Sequence, residues 1–287
     1  LRAFAFTRED DGFMTNPGSL SPVFEVDSNQ PADVGAFEQS GGRVVLHGDI
    51  TDRVSITASA RYNEYDGPVN NWAREMGTPG NLQYPFTLDT NLNPTHERET
   101  FGARFEINAE FENFDFKSIT SYTDTESDRH TDVDLTQLWF FNTFRPETME
   151  VLTQEFRFSS NSDGPFQWVG GFYLMDFKET MNSFLDFGWI ILDADDPSVH
   201  VQVPFETRRE DKGNLAAFGN VTYETGPWEW GLGLRVDRWE SDEEAVDIGH
   251  AASKDDVEVL PKISLTRHFD NNSMAYLTVS KGFEPGG

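Results

Sequence analysis

The sequence predicts an all-β fold: an antiparallel up-and-down transmembrane β-barrel, of which about eleven strands can be counted here. Three observations predict it. Segment after segment alternates apolar and polar residues with period two, which puts one oily and one polar face on a strand. The arms run to about 11 to 14 residues, against a usual strand length of roughly 5 to 6. Tight turns near Thr51, Glu112, Gly164, Gly226 and Asn271 alternate with long stretches after Arg8, Tyr65, Thr125, Thr180 and Glu240. That sorting of short and long connections to opposite ends is how outer-membrane barrels are built.

The elements follow in order. Leu1–Arg8 alternates Leu, Ala, Ala and Thr with Arg, Phe, Phe and Arg, and reads as a strand that stops at Glu9-Asp10-Asp11-Gly12. A Pro-, Gly-, Ser- and Asn-rich stretch to about Ser40 has no period and reads as a long loop. Gly42–Ile50 and Arg53–Tyr65 pair around Thr51-Asp52. The second arm places Val54, Ile56, Ala58, Ala60 and Tyr62 on one face, opposite Ser55, Thr57, Ser59, Arg61 and Asn63. After the irregular stretch Asp66–Glu97, Arg98–Glu110 and Phe114–Thr125 pair around Phe111-Glu112-Asn113, with Phe101, Ala103, Phe105, Ile107 and Ala109 on the oily face.

The hairpin from Glu150 to Thr180 turns at Asn161–Pro165. There Asp163 can bond its own backbone, Gly164 tolerates positive φ, and Pro165 fixes φ while removing a donor. The segment Met181–Glu206 contains Trp189-Ile190-Ile191-Leu192, which fits a short helix or a buried strand equally well. Thr207–Glu224 and Trp228–Glu240 turn at Thr225-Gly226-Pro227, with Trp228, Trp230, Leu232, Leu234 and Val236 sharing a face. Asp255–Phe269 and Ser273–Phe283 complete the count, joined at Asp270-Asn271-Asn272.

Composition narrows the function classes. With 22 Lys+Arg against 50 Asp+Glu the formal net charge is −28, which repels a phosphate backbone and argues against nucleic-acid binding. The chain has no Cys, so neither a disulfide framework nor a thiolate metal site is available. No apolar window of about 18 residues exists to make a membrane-crossing helix. Aromatic residues gather where strands begin or end, as Phe111, Phe114 and Phe116, Phe166 and Trp168, and Tyr62 and Tyr65 do, in the manner of interfacial girdles.

The segments LRAFAFTREDDGFMTN, TDRVSITASARYNEYDG, FKSITSYTD, LTQEFRFSS followed by WVGGFYL, and YLTVSKGFEPGG stand in this order along nearly the whole chain. Together they resemble the β-barrel of a TonB-dependent outer-membrane receptor, and most of all the receptor group of sphingomonads, caulobacters and related marine proteobacteria. The resemblance implies that residues 1–287 are part of one barrel domain of about 22 strands with a plugged lumen. It implies a Gram-negative outer membrane and contact with its lipid and lipopolysaccharide. It also implies TonB as a partner, through a plug region that this sequence does not contain, and a small-molecule substrate of the siderophore-iron, cobalamin or carbohydrate class.

Motifs of catalysis are missing: there is no G-x-S-x-G, no H-E-x-x-H and no phosphate-cradling glycine loop, so neither an enzyme nor a cofactor is expected. Gly170-Gly171 and Gly231/Gly233 fall inside strands and read as close-packing positions. Two candidate sites remain. Asp124, Glu126, Asp128 and His130, continued by Asp132 and Asp134, are spaced by two and share one strand face, so oxygen ligands for a hard cation could line up there; a solvated strand extension is the plainer reading. Asp193, Asp195 and Asp196 lack the glycine and closing glutamate of a calcium loop. The second candidate is aromatic. Trp139, Phe140, Phe141 and Phe144 between Arg129 and Glu147, with Trp72, Tyr84 and Trp189 elsewhere, are expected in long outer loops, where they could stack on a sugar or planar chelate or else pack on one another. A passive porin, or a structural or adhesion barrel, is the alternative to an energised transporter. A phospholipase-like barrel would need a Ser–His pair, which His47, His96, His130, His200, His250 and His268 do not suggest.

Overall fold

A computed structural model describes residues 1–15, 33–68, 76–78, 81–83, 90, 92–134, 139–188, 200–270 and 272–283. In chain order the strands are β1 (Arg2–Asp10), β2 (Met14–Thr15), β3 (Asp33–Val34), β4 (Phe37–Thr51), β5 (Val54–Gly67), β6 (Met76–Thr78), β7 (Asn81–Gln83), β8 (Thr95–Glu110), β9 (Phe114–Asp132), β10 (Phe141–Ser160), β11 (Phe166–Phe187), β12 (Val201–Thr225), β13 (Trp228–Ala245), β14 (His250–His268) and β15 (Met274–Ser280). Eleven of them form one antiparallel sheet in the order β1-β4-β5-β8-β9-β10-β11-β12-β13-β14-β15. The remaining four make two small ribbons, β2 with β3 and β6 with β7, inside the long connections. Within the large sheet each strand pairs only with its predecessor and successor, so the expected meander of about eleven strands is what the chain forms.

β13 shows which side of the sheet is which. Trp230, Leu232 and Leu234 are 51%, 56% and 51% exposed, while Gly231 and Asp237, on the other face, are buried. Register carries this apolar row sideways: Leu232 pairs with Val221 on β12 and Ile263 on β14, and Val221 in turn with Trp168 on β11. No charged residue interrupts the row from Val54 to Tyr62, from Phe101 to Ala109, or from Trp228 to Val236. Five alternate residues span about 26 Å of strand, close to the ~25 Å apolar height of an outer-membrane barrel. Among the described residues only Ala109, Ala216 and Ala245 are buried apolar ones. The oily face therefore has no protein core to meet, and it fits hydrocarbon instead. No helix among the described residues is long and apolar enough to cross a membrane.

On the same outer face, just beyond the apolar rows, the sequence turns acidic. Glu38, Asp66, Glu97 and Asp128 are successive cross-strand partners, as are Glu64, Glu99 and Glu126. Like charges directly opposite are unfavourable, and water is the only medium that tolerates such rows. They mark where the strands leave the membrane.

The short connections gather at the opposite end. Two of them are stitched together, since the Asn161 side-chain amide donates to the Phe111 carbonyl at 2.8 Å and to Asp115 Oδ1 at 3.1 Å. The β12–β13 turn has Gly226 at φ 55°, a conformation that glycine adopts without steric cost. At the long-loop end the strands run farther than their apolar alternation suggests. β9 continues to Asp132 and β10 begins at Phe141, so Phe141 and Phe144 are strand residues rather than members of a long loop. The expected long stretch after Glu240 is likewise strand, closed by the short connection Val246–Gly249 with Gly249 at φ 63°. Apolar alternation ends at the membrane boundary, whereas backbone pairing does not depend on it. Trp189–Leu192 and the Asp193–Asp196 run lie outside the described residues.

Candidate functional site

The inner face is polar, and on β8, β10, β12 and β13 it carries charges held in place by opposite charges two residues along the same strand. On β10 Glu155 accepts from Arg157 at 2.6 Å, and on β12 Glu210 accepts from Lys212 at 2.6 Å. Arg235 grips Asp237 with two bonds of 2.6 and 2.7 Å. Asp237, only 3% exposed, also accepts from the Asn214 amide at 3.2 Å. Glu106 sits between Arg104 at 2.7 Å and Lys117 at 2.9 Å. A charge-assisted pair of this geometry fixes two side chains against a wall that must stay rigid. The i, i+2 spacing of opposite charges was present in the sequence and marks this wall, although apolar alternation alone passes over it.

Glycine makes the wall thin where rings cross it. A Cβ at Gly171 would meet the Phe156 carbonyl and, at 2.8 Å, the Phe218 ring, and one at Gly231 would meet Ser264 Oγ. These glycines serve close approach, as their place inside strands suggests.

Higher up, beyond the membrane, ionisable groups crowd the inner face. Glu179 has cross-strand partners Met149 and Glu210. Burial first, then the nearby Glu147 and Glu210 carboxylates, push its carboxyl above the ordinary glutamate range. His96 lies against Ser127 Oγ at 2.9 Å and edge-on to Tyr65 at 5.8 Å. Burial, then the Arg129 and Arg98 guanidiniums, lower its affinity for a proton.

At the rim the aromatic candidates separate. Trp139 stacks on His200 with ring centres 5.2 Å apart, and His200 Nδ1 lies 3.3 Å from Asp186. The Trp139 indole N–H is buried without a hydrogen-bond partner among the described residues. The Phe140 carbonyl accepts from the Gly188 amide at 2.9 Å. Phe141 pairs with Phe187, their rings 6.3 Å apart, whereas Phe144 points to the other face and packs on His130 at 4.4 Å and Phe184 at 6.0 Å. The four residues thus do not form one platform: three residues apart on a strand, Phe141 and Phe144 face opposite ways. Trp72, Tyr84 and Trp189 lie outside the described residues.

Asp124, Glu126, Asp128 and His130 do share one face, the outer one, as their spacing predicts. Alternate residues on a strand stand about 6.6 Å apart, however, and carboxylates at that spacing do not converge on one cation with bonds of about 2.4 Å. Among the described residues no group of three or more His, Asp or Glu is placed to hold a metal ion. Asp132, on the same face, is buried at 1% exposure, and Asp134 accepts from the Phe141 amide at 3.2 Å.

Residues 42–287 match the family described as TonB dependent receptor-like, beta-barrel. The chain belongs to the TonB-dependent receptor family. That family consists of transporters rather than enzymes, and its barrels lie in the outer membrane of Gram-negative bacteria. The receptor barrel also superposes on solved ones. The ferric yersiniabactin uptake receptor FyuA from Yersinia pestis is 17% identical with a TM-score of 0.71, covering 96% of this chain and 41% of its own. The ferric citrate transporter FecA is 12% identical with a TM-score of 0.65, over 86% of this chain and 36% of its own. The copper transporter OprC is 12% identical with a TM-score of 0.63, over 97% and 40%. The receptor barrel thus spans about two fifths of the length of these proteins, and at such identities the likeness is one of fold. No curated protein matches the sequence.

Proposed function

We infer that this chain is wall and rim of a TonB-dependent importer that carries a scarce nutrient of the siderophore-iron, cobalamin or carbohydrate class across the outer membrane. The observation that carries the reading is the division of the sheet: an apolar outer face, and an inner face of ion pairs locked in place, topped by aromatic residues. Structural neighbours named for ferric yersiniabactin uptake, ferric citrate and copper favour a metal-bearing cargo. On this reading the eleven strands are half of a barrel of about 22, the apolar band meets lipid and lipopolysaccharide, and TonB acts through a plug in the lumen. The narrower likeness to receptors of sphingomonads and caulobacters rests on the sequence motifs alone.

Ligand contact at the rim falls to Trp139, Phe140 and Phe141, with Trp72, Tyr84 and Trp189 as further candidates. Phe144 faces outward and is the weakest of the set. The test is accumulation of labelled ferric chelates by cells that express the full protein, with and without TonB. Uptake that stops when TonB is removed is the expected result; uptake that continues would make the protein a passive porin. Alanine at both Trp139 and Phe140 is expected to weaken ligand binding about tenfold, the worth of one lost ring contact; unchanged affinity would remove the rim from the site.

A further inference from the structure

The inner face changes character from one side of the sheet to the other. On β9–β13 most of its cations lie against carboxylates, as Arg157, Lys212 and Arg235 do, while Arg145 donates instead to Ser183 Oγ at 3.2 Å. On β1, β4, β5 and β8 the same face carries Arg2, Arg8, Arg43, Arg61 and Arg98, and none of these five has an ion-pair partner among the described residues. Four successive rows cross these strands: Arg2, Val45, Ser59, Arg104; Phe4, Arg43, Arg61, Gly102; Phe6, Gly41, Asn63, Thr100; and Arg8, Gln39, Tyr65, Arg98. None contains a carboxylate, in a chain with 50 Asp+Glu against 22 Lys+Arg.

Two of the rows concentrate the charge. Arg43 and Arg61 are direct cross-strand partners, an arrangement that is unfavourable for like charges unless something anionic lies between them. On the far side of Arg61 stands Gly102, where a Cβ would meet Arg61 Nε at 2.6 Å, so the glycine clears the space that the guanidinium occupies. Four residues farther along, about 13 Å at strand rise, is the second concentration. Here Arg8 lies over the Phe37 ring at 4.9 Å and Arg98 over Tyr65 at 5.8 Å, which steadies both forks. The row between holds no charge.

We propose that this arginine strip binds a small ligand bearing several carboxylates, at a lower station formed by the neighbours Arg43 and Arg61 and an upper row with Arg8 and Arg98 at its two ends, three strands and about 14 Å apart. The guanidinium fork matches a carboxylate with two parallel N–H···O bonds, and two stations about 13 Å apart suit a ligand with more than one such group. The proposal rests on the importer reading and adds the charge of its cargo.

The test uses the purified full-length protein in detergent at low salt, with tricarballylate, a metal-free tricarboxylate, as the probe in titration calorimetry. Saturable binding that weakens with added salt is expected from the unaltered protein. Arg43→Gln with Arg61→Gln should weaken it about tenfold or more, the size of a lost charge-assisted hydrogen bond, and Arg43→Lys with Arg61→Lys should keep part of it. Heat-modifiable migration on a gel verifies that each variant is folded. No saturable binding by the unaltered protein, or equal binding by the Gln variant, overturns the proposal. So does a loss of denaturant resistance by that variant without the probe, which would assign the arginines to a carboxylate of the protein's own. Arginine-dependent binding together with TonB-independent uptake would sink the importer reading alone, whereas TonB-dependent uptake together with arginine-independent binding would sink the strip alone.

Discussion

Asp237 illustrates how a single side chain is made dependable in a wall that has no core. Its carboxylate is nearly enclosed and accepts from Arg235 twice and from Asn214 once, so each of its two oxygens is met by a donor. Gly171 acts by the opposite means, through the side chain that it lacks. Valine there would push against the Phe156 carbonyl and the Phe218 ring, and overpacking of that kind costs about 1–3 kcal/mol. The expected result for Gly171→Val is a lower urea midpoint for the refolded protein in lipid vesicles, with Gly164→Val, at an open turn, as the neutral control. Which of the adjacent Gly170 and Gly171 was the more critical could not be read from the sequence, because they differ only in what the neighbouring strands bring up to them. The opposite charges at Glu155/Arg157 and Arg235/Asp237, by contrast, were legible as a spacing.

At the scale of the strand, β13 carries two instructions at once. Its odd-looking composition, with Trp, Leu and Val alternating with Gly, Arg and Asp, is a hydrocarbon face laid back to back with a hydrophilic one. Leu232→Arg, halfway up the oily row, is expected to cost about 2–4 kcal/mol of folding stability in a bilayer. Asp242→Arg, beyond the band on the same face, should cost little, and equal losses at the two positions would refute the placement of the membrane. β11 offers a pH test. Because the folded protein raises the Glu179 pKa, its contribution to stability is fully present below the unfolded value of about 4.3 and is lost as pH rises through the folded one. Glu179→Gln should therefore remove part of the decline in stability between acid and neutral pH; a variant whose pH profile overlays the parent's would contradict the crowding of Glu147, Glu179 and Glu210. All eleven strands were legible as alternation, but their upper ends were not. Thr, Ser, Asp and Glu pair backbones as well as Val and Leu do once in water, and they leave no oily row to count.

For the whole molecule the net charge of −28 is not spread evenly. Rows such as Glu38–Asp66–Glu97–Asp128 set carboxylates side by side across four strands, which costs stability through repulsion that salt relieves. Raising ionic strength from about 0.01 to 0.1 M shortens the screening length from about 30 to 10 Å. The thermal midpoint is expected to rise over that range, and a midpoint that falls would mean that attractive pairs outweigh these rows. The fold class was legible because outer-membrane architecture writes itself in turn spacing. The arginine strip was not, since it takes three registers to bring Arg8, Gln39, Tyr65 and Arg98 into line, and no count along one segment shows which strands will be neighbours.

Strictly sequential pairing has an evolutionary consequence. Because each strand needs only the one before it, the hairpin is a self-contained unit of inheritance. Duplicating or deleting one leaves every other register intact and every oily face still pointing outward, while the circumference changes by two strand widths, about 9.5 Å.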